Sequence, residues 1–466
     1  MTKALHKYIG TRQFYKGVLA VAVPIMVQNG ITNLVNLLDN VMVGSLGTEA
    51  MSGVSIVNQF LFVFNLLIFG SMSACGIFTS QYHGAKDYDG VRSTFRLKAA
   101  LAIVFSTLAI VAFILLDDEL ISIFLHTGGD PSLDLAKTLE YGKEYLTIYL
   151  FAIIPYSVSQ IYASTLRECG ETLMPMYASL ISVFTNFALN GVLIFGLLGF
   201  PALGVTGAAI ATVIARVFEM LFIVIIAHAG KRKYHFISGV YRSFKIPRAL
   251  AVGVVVRGLP ILFNECLWSL AITAQNQAYS VRGLDVVASL NIASVIINLL
   301  SVVYMALSSS IGILVGARLG AGEIDDAKDT ATKMLVFSLF STLIMGGIMA
   351  AIAPFFPLLY ETTGSVRSLA TFMIIVSAVL MPFCSYTHSV YYILRSGGSV
   401  ISTVLMDCGF MWAIAAPTAL LLAHFTALDI RLIFLIVKST ELLKVALSIY
   451  LLRRGTWVKR LVDGLD

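Results

Sequence analysis

Charge is what this sequence has least of. Asp, Glu, Lys and Arg make up 12% of its 466 residues, about half the share of an ordinary soluble domain. So little charge cannot cover a soluble surface of this size, which excludes a cytosolic globular enzyme. Cysteine is also scarce. Cys75, Cys169, Cys266, Cys384 and Cys408 are scattered and form no CxxC pair, so neither a zinc knuckle nor a disulfide framework is indicated. HExxH, GxxxxGK[ST] and GxSxG are all missing, and the seven histidines form no ligand cluster, which leaves metalloprotease, P-loop and hydrolase chemistry without a carrier. The net charge of +6 is small for this length. It reads as basic edges of a membrane protein rather than a nucleic-acid patch.

Apolar sequence is abundant. Hydrophobic residues make up 58% of the chain and mean hydropathy is +0.87. A spanning helix takes about 20 residues. Twelve apolar segments fit, at 18–43, 53–80, 95–116, 141–166, 172–197, 203–228, 251–281, 287–316, 332–355, 367–394, 400–424 and 430–452. In lipid the backbone must satisfy its own hydrogen bonds, so segments of this length are helices, and the alternating pattern of a barrel strand is missing. The first apolar segment has the length of a full span and no small-residue cleavage site closes it, which argues against a cleaved leader.

Basic residues cluster at three places. Lys3, Lys7, Arg12 and Lys16 precede the first span. Lys231, Arg232, Lys233, Arg242, Lys245 and Arg248 separate spans six and seven, and Arg453, Arg454, Lys459 and Arg460 follow the last. An even number of spans puts all three on one side, which the positive-inside rule makes the cytoplasm. The acidic stretch with Asp117, Asp118, Glu119, Asp130 and Asp134 then faces outward.

The chain also repeats itself. At an offset of 236, Pro24 meets Pro260, Gly47 meets Gly283, Glu49 meets Asp285, Gly76 meets Gly312, Gly84 meets Gly320 and Asp89 meets Asp325. At shorter offsets Leu166-Arg167 meets Leu394-Arg395, and Arg216 and Glu219 meet Lys438 and Glu441. The organisation expected is an N-lobe over 1–228, a basic cytoplasmic linker over 229–250 and a C-lobe over 251–466. Paired repeats of this kind are a transporter architecture.

Polar groups inside spans are costly and mark cavities or partners. In span one, Gln28, Thr32 and Asp39 share a narrow arc, and Asn29, Asn33, Asn36 and Asn40 fall in the adjoining one. The amides also suit plain helix–helix packing. Asp39 is different, because lipid disfavours its charged form. It can therefore exchange a proton, or take a monovalent cation or a cationic ligand in the proton's place. In span five Ser182, Asn186 and Asn190 recur every four residues, and span four aligns Tyr145, Tyr149 and Tyr156. These tyrosines suit an interfacial belt or an aromatic face for an organic cation. In the second half, Asn264, Glu265 and Trp268 follow Pro260, and Gln275 and Asn276 lie further along the same span. Asp407 has no basic residue in its own span, which makes it and Glu265 candidate proton or cation sites. Arg216–Glu219 and Lys438–Glu441 read as intrahelical ion pairs. Prolines 24, 155, 260, 382 and 417 fall within spans as kink points.

These residues resemble a known family, the multidrug and toxic compound extrusion (MATE) transporters. The resemblance runs along essentially the whole chain. It is carried by Pro24-Ile25-Met26, by Asp39 through Gly47, by Asn186-Phe187-Ala188-Leu189-Asn190, by Leu203 through Thr212, by Leu259-Pro260 and by Arg454-Gly455-Thr456-Trp457. It implies an all-α polytopic fold of 12 transmembrane helices, in two pseudo-symmetric six-helix lobes around a central cavity. The implied activity is export of cationic amphipathic compounds in exchange for H⁺ or Na⁺. Asp39, Asn36, Asn186, Asn190, Glu265 and Asp407 become the candidates for coupling, with Na⁺ near Asp39 as the candidate metal. Gln28, Asn33, Asn40, Tyr149, Tyr156, Thr212, Asn264, Trp268 and Asn276 become the candidates for substrate binding. The expected protein is a monomer of the plasma or inner membrane with both termini cytoplasmic, no further cofactor, and small cations and lipid as partners. The alternative is a lipid-linked oligosaccharide flippase of the same superfamily, which needs a cationic cavity. Among basic residues the spans offer chiefly Arg216 and Lys438, each with its own acidic neighbour.

Overall fold

In the computed structural model the described residues are 7–122 and 134–463, without the side chains of Asn36, Leu37 and Asn40. Asp130 therefore lies outside the described residues. Twelve long helices account for most of the rest. They are α1 (Arg12–Gly44), α2 (Thr48–Gly84), α3 (Tyr88–Leu115), α4 (Leu135–Glu168), α5 (Leu173–Phe195) and α6 (Gly204–Ala229), then α7 (Arg248–Ser280), α8 (Leu284–Ala321), α9 (Ile324–Ile352), α10 (Gly364–Ser396), α11 (Val400–Phe425) and α12 (Ile430–Arg453). The first eleven are long and apolar enough to cross a membrane. α12 has the length at 24 residues but carries Lys438, Glu441 and Lys444. Most helices outrun their apolar segments, because polar residues extend them past the hydrocarbon.

Local chemistry sets the ends. Asp134 caps α4, its carboxylate accepting from the N–H groups of Ala136 at 3.1 Å and Lys137 at 3.2 Å, and Asp429 caps α12 through Arg431 N at 2.7 Å. The repeat-matched Gly47 and Gly283 form the α1–α2 and α7–α8 turns with φ of 115° and 121°, where a side chain would strain the backbone. Within the acidic stretch, Asp117 and Asp118 meet Lys143 on α4, at 3.2 Å and 2.8 Å.

The chain divides into two compact units. One holds Val27–Thr79 and Tyr88–Val252. The other holds the residues up to Met26, Ser80–Asp87 and Gly253 onward. α1 passes from one unit to the other three residues after Pro24, and α2 does so within its last two turns. The segment 229–250 belongs to the first unit. Arg96 Nε on α3 donates to Val240 O at 2.8 Å, Arg92 Nε donates to Phe236 O at 3.3 Å, and Tyr234, Phe236, Ile237 and Val240 are buried. Lys233 there pairs with Glu171, which raises the pKa of its ammonium.

In the second unit, Leu307, Ile311, Val315, Met334, Ile393 and Leu394 form one core and Met349, Met373, Ile374, Met381 and Phe434 another. The repeat-matched Gly84 and Gly320 pack into that unit's backbone. A Cβ at Gly84 would collide with the carbonyl of Ala317, and one at Gly320 with the carbonyl of Gln81. The Gln81 amide donates to Ser396 O at 2.9 Å and accepts from Leu461 N at 2.6 Å. Pro417 lies inside α11, as its place in the eleventh apolar segment predicts. α11 carries two π turns, Leu405–Gly409 and Met411–Ala415, and Pro417 falls in the first turn of the α-helical segment that follows, where a proline is tolerated.

Candidate functional site

The first unit contains a cavity of about 400 Å³, with Asp39 of α1, Asn58 and Asn65 of α2, Tyr145 and Tyr149 of α4, Ser179, Ser182, Asn186 and Asn190 of α5, and Thr212 and Arg216 of α6 among its lining. Helical spacing builds it. Ser182, Asn186 and Asn190 stack on one face of α5, as their four-residue recurrence predicts, and Ala208, Thr212 and Arg216 do the same on α6.

Asp39 is held by amides. Asn190 Nδ2 donates to its Oδ1 at 2.8 Å. Amide orientation follows from the hydrogen-bond network. With its nitrogen towards Asp39, Asn186 lies 3.1 Å from Oδ1 and 2.8 Å from Oδ2, and its oxygen accepts from Thr212 Oγ1 at 3.1 Å. Among the described residues Asp39 enters no ion pair. The carboxylate is thus solvated by neutral donors and its charge is uncompensated at contact distance. Asn190 Oδ1 is buried without a donor. A carboxylate, an amide oxygen and a hydroxyl in one place are the hard oxygen ligands that a small cation takes. A carboxylate is also a proton acceptor.

The only charged side chains among the described lining residues are Asp39 and Arg216. Arg216 Nη1 pairs with Glu219 at 2.7 Å, the ion pair expected from their spacing, and its guanidinium lies 5.1 Å from the centre of the Tyr156 ring.

The other site residues predicted from the sequence fare differently. Tyr149 lines the cavity and is buried, while Tyr156 is beneath Arg216 and outside the lining. Tyr145 is buried in the lining rather than placed in an interfacial belt. Thr32 reaches the cavity from α1. Gln28 and Asn33 are not in its lining, and Gln28 Oε1 is buried without a partner. Asn36 and Asn40 lie outside the described side chains. Asn58 and Asn65 were not singled out, although two asparagines seven residues apart in an apolar span are the same signal that marked span one.

In the second unit, Asp407 stands on the first π turn of α11. Lys444 Nζ of α12 donates to its Oδ1 at 3.1 Å and Asn264 Nδ2 of α7 to its Oδ2 at 3.0 Å. Asn264 Oδ1 also accepts the N–H of Cys408 at 3.2 Å, so one amide satisfies both the carboxylate and the π turn. Asp407 is therefore paired with a fixed cation, a partner that inspection of its own span could not supply. Glu265 accepts from Tyr391 OH at 3.0 Å, and the Arg395 guanidinium lies 6.0 Å from the centre of the same Tyr391 ring. Lys438 and Glu441 form no pair among the described residues. Lys438 sits over the ring of Phe434 at 5.6 Å, and Glu441 accepts from Thr387 at 2.6 Å. Neither Trp268 nor Asn276 joins these hydrogen bonds. Trp268 packs against the buried cluster of Ala271, Phe410, Met411 and Ala415, and Asn276 is exposed. Gln275, the repeat partner of Asp39, is buried against Met411.

One family model, MatE, matches residues 24–192 and again 260–420. The two matches begin 236 residues apart (260 − 24), which is the offset of the internal repeat. The chain is 25% identical to the probable multidrug resistance protein YoeA of Bacillus subtilis (strain 168) over 429 residues, covering 88% of this chain and 87% of that protein. It is 23% identical to the probable multidrug resistance protein NorM of Thermotoga maritima over 451 residues, covering 96% and 94%. Among solved structures it is similar to a MATE in complex with MaL6, with a TM-score of 0.85, 18% identity, and 98% and 99% of the two chains covered. It is also similar to a multidrug resistance MATE family transporter of the MOP superfamily in its outward-facing conformation, with a TM-score of 0.84, 18% identity and 95% of each chain covered. At that identity the likeness carries the fold. With one model accounting for both halves of the repeat and twelve helices following its spans, the chain is a multi-pass membrane protein that belongs to the MatE family of multidrug efflux transporters.

Proposed function

We propose that the protein is a secondary active antiporter that exports cationic amphipathic organic compounds in exchange for H⁺ or Na⁺, with Asp39 as the coupling carboxylate. The observation that carries this reading is the setting of Asp39, a carboxylate in an intramembrane cavity with amide donors and no ion-pair partner among the described residues. An uncompensated charge there is stabilised by whichever cation arrives, whether a proton, a sodium ion or the cationic end of a substrate. The occupants compete. Binding of one lowers the affinity for the other, and that reciprocity is exchange. When the cavity opens inward the deprotonated carboxylate takes the compound. After outward opening an external proton or Na⁺ takes the carboxylate, and the compound loses its electrostatic partner and leaves. Pro24 stands where α1 passes between units, a position at which a bend in the helix links occupancy of Asp39 to conformation.

We place the protein in the plasma or inner membrane as a monomer, with both termini and residues 229–250 in the cytoplasm. The basic clusters at those three places support this. A pyrophosphate-carrying flippase fits less well, because the one cation among the described lining residues, Arg216, is already paired with Glu219.

The test is dye efflux from proteoliposomes with a pH gradient or a Na⁺ gradient imposed separately. The reading expects efflux under one of the two gradients and none without either. It expects Asp39→Asn to abolish the gradient-driven component. Full gradient dependence in Asp39→Asn would overturn it.

A further inference from the structure

The helix α5 lines two separate spaces. Ser182, Asn186 and Asn190 face the cavity that holds Asp39. Tyr177, Leu180, Ile181, Phe184 and Thr185 recur at the three- and four-residue steps of one helix face. They line a second space, a groove of about 460 Å³ completed by Phe222 of α6. Apart from one phenol and one hydroxyl, those side chains are apolar. Tyr177 and Phe184 are 45% and 60% exposed, so this is an outer surface of two spanning helices.

Its depth follows from helix rise. Tyr177 stands four residues after the start of α5 at Leu173 and Thr185 stands twelve after it, about 6 Å and 18 Å along the axis. Phe222 stands seven residues before the end of α6 at Ala229, about 10 Å from that end. Half the hydrocarbon thickness is about 15 Å. The groove therefore covers the depth of the acyl chains of one leaflet. Tyr177 is nearest the headgroups, the level at which tyrosine is enriched.

The same helix ends carry cations. Lys231, Arg232 and Lys233 follow α6 after a single glycine. Lys233 pairs with Glu171, two residues before α5, which ties the basic run to the end of α5 from which the groove begins. The bonds from Arg92 and Arg96 to the carbonyls of Phe236 and Val240 hold the rest of the segment on the same unit. Lys231 and Arg232 are exposed, and among the described residues neither enters an ion pair.

We infer that the groove and this basic run form one binding site for an anionic phospholipid. An acyl chain lies along Tyr177, Ile181, Phe184 and Phe222, and the headgroup phosphate meets Lys231 and Arg232. An apolar groove alone takes any acyl chain, whatever its headgroup. Each cation at the membrane surface favours an anionic lipid by about fivefold. Selection for charge comes from having both features at one helix end. The inference goes beyond the transport reading and does not rest on the role of Asp39.

Native mass spectrometry of the purified full-length protein in detergent tests it, with dioleoyl phosphatidylglycerol or dioleoyl phosphatidylcholine as the added lipid. The two share their chains and differ in headgroup charge. The native protein should bind the first molecule of phosphatidylglycerol about tenfold or more tightly than phosphatidylcholine. Lys231→Gln with Arg232→Gln should remove most of that preference. Arg12→Gln with Lys16→Gln, which removes two exposed cations elsewhere, should leave it intact. Thr185→Trp fills the groove from a partly exposed position and should weaken phosphatidylglycerol binding several-fold. Glycerol 3-phosphate, which has the phosphate without the chains, should not displace the lipid at equal concentration. Equal binding of the two lipids by the native protein would overturn the inference, as would an undiminished preference in the Lys231 and Arg232 variant or the same loss in the Arg12 and Lys16 variant. Unchanged binding in Thr185→Trp, or displacement by glycerol 3-phosphate, would also overturn it, because the groove would then contribute nothing.

Discussion

Asp39 in one unit and Asp407 in the other are partly buried carboxylates within helices, and the two are held in opposite ways. Asp39 is met by Asn190 and Asn186, and among the described residues no cation touches it. Asp407 is met by Lys444 at 3.1 Å and Asn264 at 3.0 Å. Amides lower the cost of the charge without cancelling it, so a mobile cation still gains by arriving. An ammonium cancels it, and a proton or sodium ion then has little to gain. On the antiport reading proposed above, the open carboxylate of Asp39 is the exchange site, whereas the carboxylate of Asp407 is held in an ion pair with Lys444.

The largest expected effect is on that ion pair. Lys444→Met strands Asp407 without its counterion and should cost about 3–5 kcal/mol, read as a lower melting temperature in detergent. Adding Asp407→Asn should recover most of that loss, because removing both charges of a buried pair is often nearly neutral. If Lys444→Met kept full stability, the contrast between the units would be lost.

Asp39→Asn should behave in the opposite manner. It should keep or raise the melting temperature, because no unpaired charge is left out of water, while ending gradient-driven efflux. The variant carrying both Lys444→Met and Asp407→Asn should retain such efflux. These two results together separate coupling from scaffolding.

pH sharpens the comparison. Binding of a cationic dye to the native protein should weaken as pH falls, because the protonated carboxylate of Asp39 offers no charge to the dye. Asp39→Asn should bind weakly with no such slope, and Asp407→Asn should keep the native slope. A native slope in Asp39→Asn would move the titrating group elsewhere.

The smallest effect belongs to the hydroxyl behind the amides. Thr212→Val removes one neutral hydrogen bond to Asn186 and should weaken dye binding by about 1 kcal/mol, a several-fold change in Kd. Asn190→Ala, which removes a donor to the carboxylate itself, should weaken it more.

Much of this was legible from the residues alone. Twelve apolar segments became twelve helices because lipid leaves the backbone no alternative. The turn glycines at 47 and 283 declared the repeat, since only glycine takes φ above 100° easily. The polar face of α5 was readable because helical period and side-chain chemistry are both local. Asn58 and Asn65 were readable by the same rule. Partners from other helices were not. Lys444 stands 37 residues from Asp407, and Asn264 stands 143 before it, so the reading that Asp407 is unpaired used the only neighbours a single span offers. The expected Lys438–Glu441 pair fails for the same reason, since spacing permits a pair but Thr387 and Phe434 compete for its members.

The sequence by itself determined that this chain lives in lipid, that it spans as helices, that it is built twice over and that Asp39 is costly where it sits. These are consequences of composition and period, which need no coordinates. The tertiary structure alone decided which buried charges are cancelled and which remain open, and that Arg216 faces the same cavity as Asp39. Electrostatic compensation acts over a few ångströms, and only packing sets which distant residues come that close.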